Sequence, residues 1–149
     1  MREKEFTTRI HKIFKEQGAW IWKIRDDGFQ NPFDAVGCYK GLPLALEYKY
    51  LPSPKAFPLT RLEDHQMQNL KEHWLCGGWS ALVIGVCYGR NDVRVFVYAN
   101  EQLPMIEQRK KDRQNILRKE FDSSSYMKLS EINLDSFLQF RTKNFIIDM

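Results

Sequence analysis

The chain has 149 residues, 43% hydrophobic and 28% charged, with a net charge of +4. That is about one domain's worth of sequence, with enough apolar residues for a real core. The longest apolar run, Ala81 to Cys87, is too short to cross a bilayer, and the three cysteines, with no CxxC, favour neither a disulfide framework nor a zinc site.

Met1-Arg2-Glu3-Lys4-Glu5 has no apolar h-region, which argues against a secretory leader and for a reducing, cytoplasmic setting. His11, His65 and His73 form no HExxH, and neither a P-loop nor a GxGxxG occurs, so nucleotide chemistry has no support. The mild positive charge leans toward a polyanionic partner.

In chain order, Glu3 to Gln17 reads as a helix, with Phe6, Ile10, Ile13 and Phe14 at helical spacing and Gly18 as terminator. Ala19 to Ile24 alternates as a strand, and Asp26-Asp27-Gly28 marks a turn. Phe33 to Tyr39 and Leu42 to Tyr50 are two more strands around a Lys40-Gly41 turn. The proline-rich stretch Leu51 to Pro58 is a loop. Thr60-Arg61-Leu62-Glu63 has capping-box spacing, which predicts a helix from near Arg61 to Leu75, ended by Gly77-Gly78.

Trp79 to Tyr88 and Val93 to Ala99 read as buried strands. A charged helix is expected over Leu103 to Phe121, broken by Ser123-Ser124-Ser125, with a last short helix in the tail. The sum is an α/β (α+β) chain: a mixed sheet of about five strands flanked by helices, with a core over about 1–100 and a helical extension over about 101–149, all in one domain.

Three polar residues stand out in the central hairpin. Ala45, Glu47 and Lys49 share one strand face, because side chains alternate along a strand. The Lys40-Gly41 turn brings Asp34 back to about the level of Glu47. Two carboxylates make a hard oxygen site suited to Mg²⁺, which lowers the pKa of a bound water and polarises a phosphoryl oxygen. A lysine beside them orients that water or offsets charge on the phosphate. The same triplet also reads as a solvated face with a weak surface ion pair, and the spacing fits both.

The stretch "PFD" (Pro32 to Asp34) followed by "EYK" (Glu47 to Lys49) resembles the PD-(D/E)XK nuclease motif. More specifically, "FDAVGCYKGLPLALEYKY" followed by "AFPLTRLEDHQMQNL" is similar to RecU-like Holliday junction resolvases, over about Pro32 to Gly85. The resemblance implies a restriction-endonuclease-like core and a Mg²⁺-dependent DNA endonuclease, with Mn²⁺ able to substitute. It implies Asp34, Glu47 and the Tyr48 backbone carbonyl as metal ligands and Lys49 as the catalytic lysine. It also implies a supporting glutamate on the first helix, for which Glu5 is the candidate; the alternative for Glu5 is an i,i+4 ion pair with Arg9. Gln66, four residues from both Leu62 and Leu70, is expected on the apolar stripe of its helix, beside the active site as in related nucleases. His65 points away, as a surface or phosphate-contacting residue, while His73 and Trp74 serve packing.

RecU-type resolvases carry a stalk ahead of the aspartate strand, and between Trp22 and Asp34 there is no room for one. Junction resolution therefore stands beside a site-specific duplex endonuclease of restriction or homing type, and beside an inactive DNA-binding protein on the same fold. Six basic residues within Arg109 to Lys119, among them Arg109, Lys110, Lys111 and Arg113, suit phosphate contacts, as do Arg9, Lys12 and Lys15 on the first helix and Lys55 in the loop after the catalytic strand. A solvated helix face is the plainer reading of that basic run. Trp20 and Trp22 read first as strand core or interface, and second as stacking surfaces for bases. Cutting two strands favours a homodimer or a higher even oligomer.

Overall fold

The computed structural model describes residues 1–24 and 31–142. The Asp26-Asp27-Gly28 turn and the last residues of the tail lie outside them. The element order is α1 (Glu3–Glu16), β1 (Trp20–Lys23), β2 (Ala35–Tyr39), β3 (Leu42–Leu51), α2 (Asp64–Leu75), β4 (Trp79–Gly89), β5 (Asp92–Ala99), α3 (Leu103–Lys111), α4 (Arg118–Ser123), β6 (Met127–Lys128) and α5 (Leu134–Gln139).

The six strands lie in sequence order, β1-β2-β3-β4-β5-β6. All neighbours are antiparallel except β3 and β4, which run parallel. Parallel neighbours need a crossover connection, and α2 supplies it. The sheet has one strand more than expected. The addition, β6, is only two residues long and shows no alternation from which it could have been read.

Each face of the sheet carries its own core. On one side α1 lays down Phe6, Ile10 and Phe14, all at 0% exposure, against Leu46, Tyr48 and Val83. Each such side chain stabilises the fold by about 1.5–3 kcal/mol relative to exposure. Gly85 makes the approach possible, since a Cβ there would sit 2.5 Å from the Phe6 ring. The tail closes the same side: Phe137 packs on Phe14, and the Trp79 indole N–H donates to the Leu138 carbonyl at 3.0 Å. On the other side α2 and α3 bury Met67, Leu70, Leu103 and Ile106 against Leu82, Ile84 and Phe96.

Two helices differ from expectation. The chain makes a single 3₁₀ turn at Leu59–Arg61, and α2 starts only at Asp64. Gln66 caps it: the Glu63 N–H donates to Gln66 Oε1 at 2.9 Å. The expected helix over Leu103 to Phe121 is two helices. Ile116 leaves helical geometry to form a β-bridge with Phe57, and Arg113 takes a positive φ of 57°. Burying Ile116 in the α2-side core outweighs the local helical preference of this charged segment.

Trp20 and Trp22 are not core residues. Ile21 is the inward residue of β1, so alternation turns both indoles outward, at 59% and 58% exposure. Among the described residues no helix is long and apolar enough to cross a membrane.

Candidate active site

The site is built by the β2–β3 hairpin. Lys40 and Gly41 form its two-residue turn, with φ of 49° and 81°. Positive φ at both central positions matches the twist of the flanking strands and fixes the register. Ala35 pairs with Leu46, so the next position on each strand sets Asp34 across from Glu47.

The backbone then holds the acid. The Tyr48 N–H donates to Asp34 Oδ2 at 2.8 Å. Glu47 Oε2 lies 3.5 Å from Lys49 Nζ, with 1% of the Glu47 side chain exposed and 12% of Lys49. The other Glu47 oxygen, Oε1, is buried with no N–H or hydroxyl of the chain donating to it, and the Asp34 carboxylate is the group that a protonated Glu47 side chain meets. Burial pushes the Glu47 pKa up to about 9; the Asp34 charge adds to the rise and Lys49 works against it. The metal-free carboxyl is therefore protonated at neutral pH, so its contact with Lys49 is not a full ion pair there.

An unsatisfied buried oxygen is costly, and here it belongs to a group with a second carboxylate at its side. That arrangement fits a hard divalent cation, which would displace the Glu47 proton and complete the oxygen's coordination. Among the described residues no three His, Cys, Asp or Glu side chains are grouped to hold a metal. Two carboxylates could hold an ion such as Mg²⁺ only if it kept several waters.

Tyr48 links this face to the other. Its ring is on the α1 side, where its hydroxyl and His11 Nε2 share a hydrogen bond of 2.9 Å. Burial, with the Lys15 and Lys23 charges, lowers the His11 pKa to about 4, so the ring is neutral at neutral pH. Burial also raises the Tyr48 pKa.

The remaining predicted residues are dispersed. Glu5 is exposed and pairs with Arg2 at 3.6 Å, not with Arg9. The α1 carboxylate that reaches β3 is Glu3. Its Oε1 accepts the Tyr50 N–H at 3.0 Å and an Arg61 N–H at 3.3 Å. Glu3 shares the helical stripe of Phe6 and Ile10, and that spacing was the available signal. Gln66 is half-buried in the first turn of α2, on the helix face of Leu70, and its Oε1 accepts the Glu63 N–H; Leu62, four residues earlier, lies outside the helix. His65 sits 3.2 Å from Glu63, and His73 shares a hydrogen bond of 2.7 Å with Ser80.

The basic run divides in the same way. Arg109 donates two hydrogen bonds to the Glu120 carboxylate, at 2.8 and 3.0 Å, and another to the Asn115 carbonyl. Lys110 pairs with Asp64 at 2.6 Å. Lys111, Arg113 and Lys55 are exposed. Arg9 and Lys12, also exposed, line a cleft of about 450 Å³ with Asn91 and Ser130.

A profile of the Recombination protein U family matches residues 8–142. This chain belongs to that family, one of Holliday junction resolvases. Among solved structures it is similar to Hjc of Archaeoglobus fulgidus, described as a Holliday junction resolvase from an archaeal hyperthermophile, at 17% identity over 62% of this chain and 74% of that one, with a TM-score of 0.44. No curated protein matches the chain.

Proposed function

We propose that the chain is a divalent-metal-dependent endonuclease that cuts branched DNA at the Asp34, Glu47 and Lys49 cluster. The observation that carries this reading is the buried Glu47 carboxyl, which sits against Asp34 and Lys49 and receives no donor at Oε1. Asp34 and Glu47 would hold the cation, with the Tyr48 carbonyl as a further ligand. When bound, a divalent ion supplies Lewis-acid polarisation of a phosphoryl oxygen and a water of lowered pKa.

The chain's own groups do the rest. The Tyr48 N–H fixes the orientation of Asp34. Glu47 gives up its proton as the site loads. Lys49, little exposed and anchored on the same strand face, donates to the scissile phosphate and offsets its growing negative charge. Hydrolysis adds water across a P–O bond, leaving one hydroxyl end and one phosphate end. A two-fold pairing of chains would set two such sites on opposed strands.

The test offers labelled four-way junctions beside long duplex DNA in Mg²⁺. Paired symmetric nicks in the junction, with duplex spared, are expected. Discrete duplex cuts would favour a second reading, a site-specific endonuclease. That alternative is supported by the short β1–β2 connection, residues 24–34, which leaves no room for a stalk. A Mg²⁺-dependent rise in melting temperature, absent in Glu47→Gln, tests the metal site independently of cleavage.

A further inference from the structure

The Trp20 and Trp22 rings are nearly parallel, tilted by 14°, with centroids 6.3 Å apart. Both stand on β1, an edge strand that pairs only with β2. The register places them on a particular face: Trp22 is opposite Val36, and Val36 is opposite Ala45. Ala45 shares its face with Glu47 and Lys49, and Val36 shares its face with Asp34, since alternate residues of a strand point the same way. The two indoles and the catalytic cluster therefore occupy one side of the sheet. From Trp22 to Asp34 is one strand across and two residues along, roughly 8 Å between Cα atoms.

We propose that Trp20 and Trp22 form a stacking slot for an unpaired base of the DNA held at the Asp34, Glu47 and Lys49 site. The proposal rests on the nuclease reading and adds to it the part of the substrate recognised. Stacked bases lie about 3.4 Å apart, so a ring held between two others needs about 6.8 Å. The 6.3 Å between centroids is an upper bound on the gap between the two planes, so these exposed rings must part by at least about half an ångström to admit a base. Bases freed from pairing at a branch point present such faces, and aromatic stacking accepts any base.

A second copy of the chain fits the patch less well. Two indoles at 59% and 58% exposure offer roughly 250 Å² of apolar surface. A stable interface needs about 800 Å² from each partner. The other large exposed apolar residues, Met1, Leu75, Leu117 and Tyr126, belong to other segments.

The test measures binding of the full chain, in EDTA, to a fluorescent oligothymidylate and to an abasic strand of equal length. Because nothing is cut, a chain that cleaves no DNA would count against the nuclease reading alone. The expected result is about tenfold tighter binding of the strand that carries bases. Trp20→Ala/Trp22→Ala should bring the ratio to about one while abasic binding persists, and Trp20→Phe/Trp22→Phe should keep most of it. Equal binding of the two strands by the wild type, binding of neither, or a ratio that survives the double alanine change would each overturn the slot. So would a double alanine variant that turns a dimer into a monomer by light scattering with the ratio intact; the rings would then be a contact between copies.

Discussion

Two buried glutamates lie in this chain, and they are treated in opposite ways. Glu120, at 3% exposure, receives two hydrogen bonds from Arg109 and a third from the Leu117 N–H at 2.6 Å. Glu47, at 1%, has Lys49 near one oxygen and no donor on the other, with a second carboxyl, Asp34, against it. The first carboxylate closes the break between α3 and α4 and is satisfied within the chain. The second is left incomplete beside another acid. Burial alone therefore does not say what an acid does; its partners do, and on the nuclease reading the difference between these two is the difference between a structural and a catalytic acid.

The contrast breaks most visibly at Glu47 and Asp34. Either alanine substitution should lower cleavage of a junction by about 10³-fold or more while the far-ultraviolet circular dichroism stays native. Glu120→Ala should do the converse. It strands the Arg109 guanidinium, 13% exposed, and should cost about 3 kcal/mol in urea denaturation without touching the chemistry.

A smaller effect comes from pH. The Glu47 pKa rises from 4.5 in the free side chain to about 9 in the fold. Between those values the folded, metal-free chain holds a proton that the unfolded chain has released, so stability should fall as pH rises across that window. Glu47→Gln should flatten this slope, leave the variant more stable than wild type at pH 7 by up to about 3 kcal/mol, and abolish proton release on Mg²⁺ addition, measured by calorimetry in two buffers. Smallest is the effect of the exposed cations. Neutralising Lys111 and Arg113 should weaken DNA binding uniformly and lower its salt slope by about one for each phosphate no longer neutralised. Arg109, engaged by Glu120, belongs with the stability variants.

The hairpin was legible because its register depends on local information. Lys40-Gly41 fixes the turn, and alternation then assigns Glu47 and Lys49 to one face. What could not be read depends on distant partners. The helix predicted through Phe121 is broken by a bridge from Ile116 to Phe57, far back in the sequence. Glu5 pairs with Arg2 at the surface, and it is Glu3 whose contacts, to Tyr50 and Arg61, join α1 to later elements. Gln66 keeps the face of Leu70 but lies in the first turn of α2, because the helix starts only after a 3₁₀ turn and Glu63. The exposure of Trp20 and Trp22 follows from β1 being an edge, which depends on the order of all the strands.

The parallel pairing of β3 with β4 has a kinetic consequence. Asp34, Glu47 and Lys49 sit on one two-residue hairpin, a unit that closes in about 1–10 μs. The dry surroundings that unsettle Glu47 need Leu82 on β4, which docks only after the chain has crossed through α2. Loop closure of that length slows folding. The reactive geometry is thus expected to assemble early and wet, with its carboxyl still ordinary, and to become a demanding cation site only when the crossover is complete. Folding in the presence of Mg²⁺ should therefore leave the refolding rate nearly unchanged and slow unfolding instead.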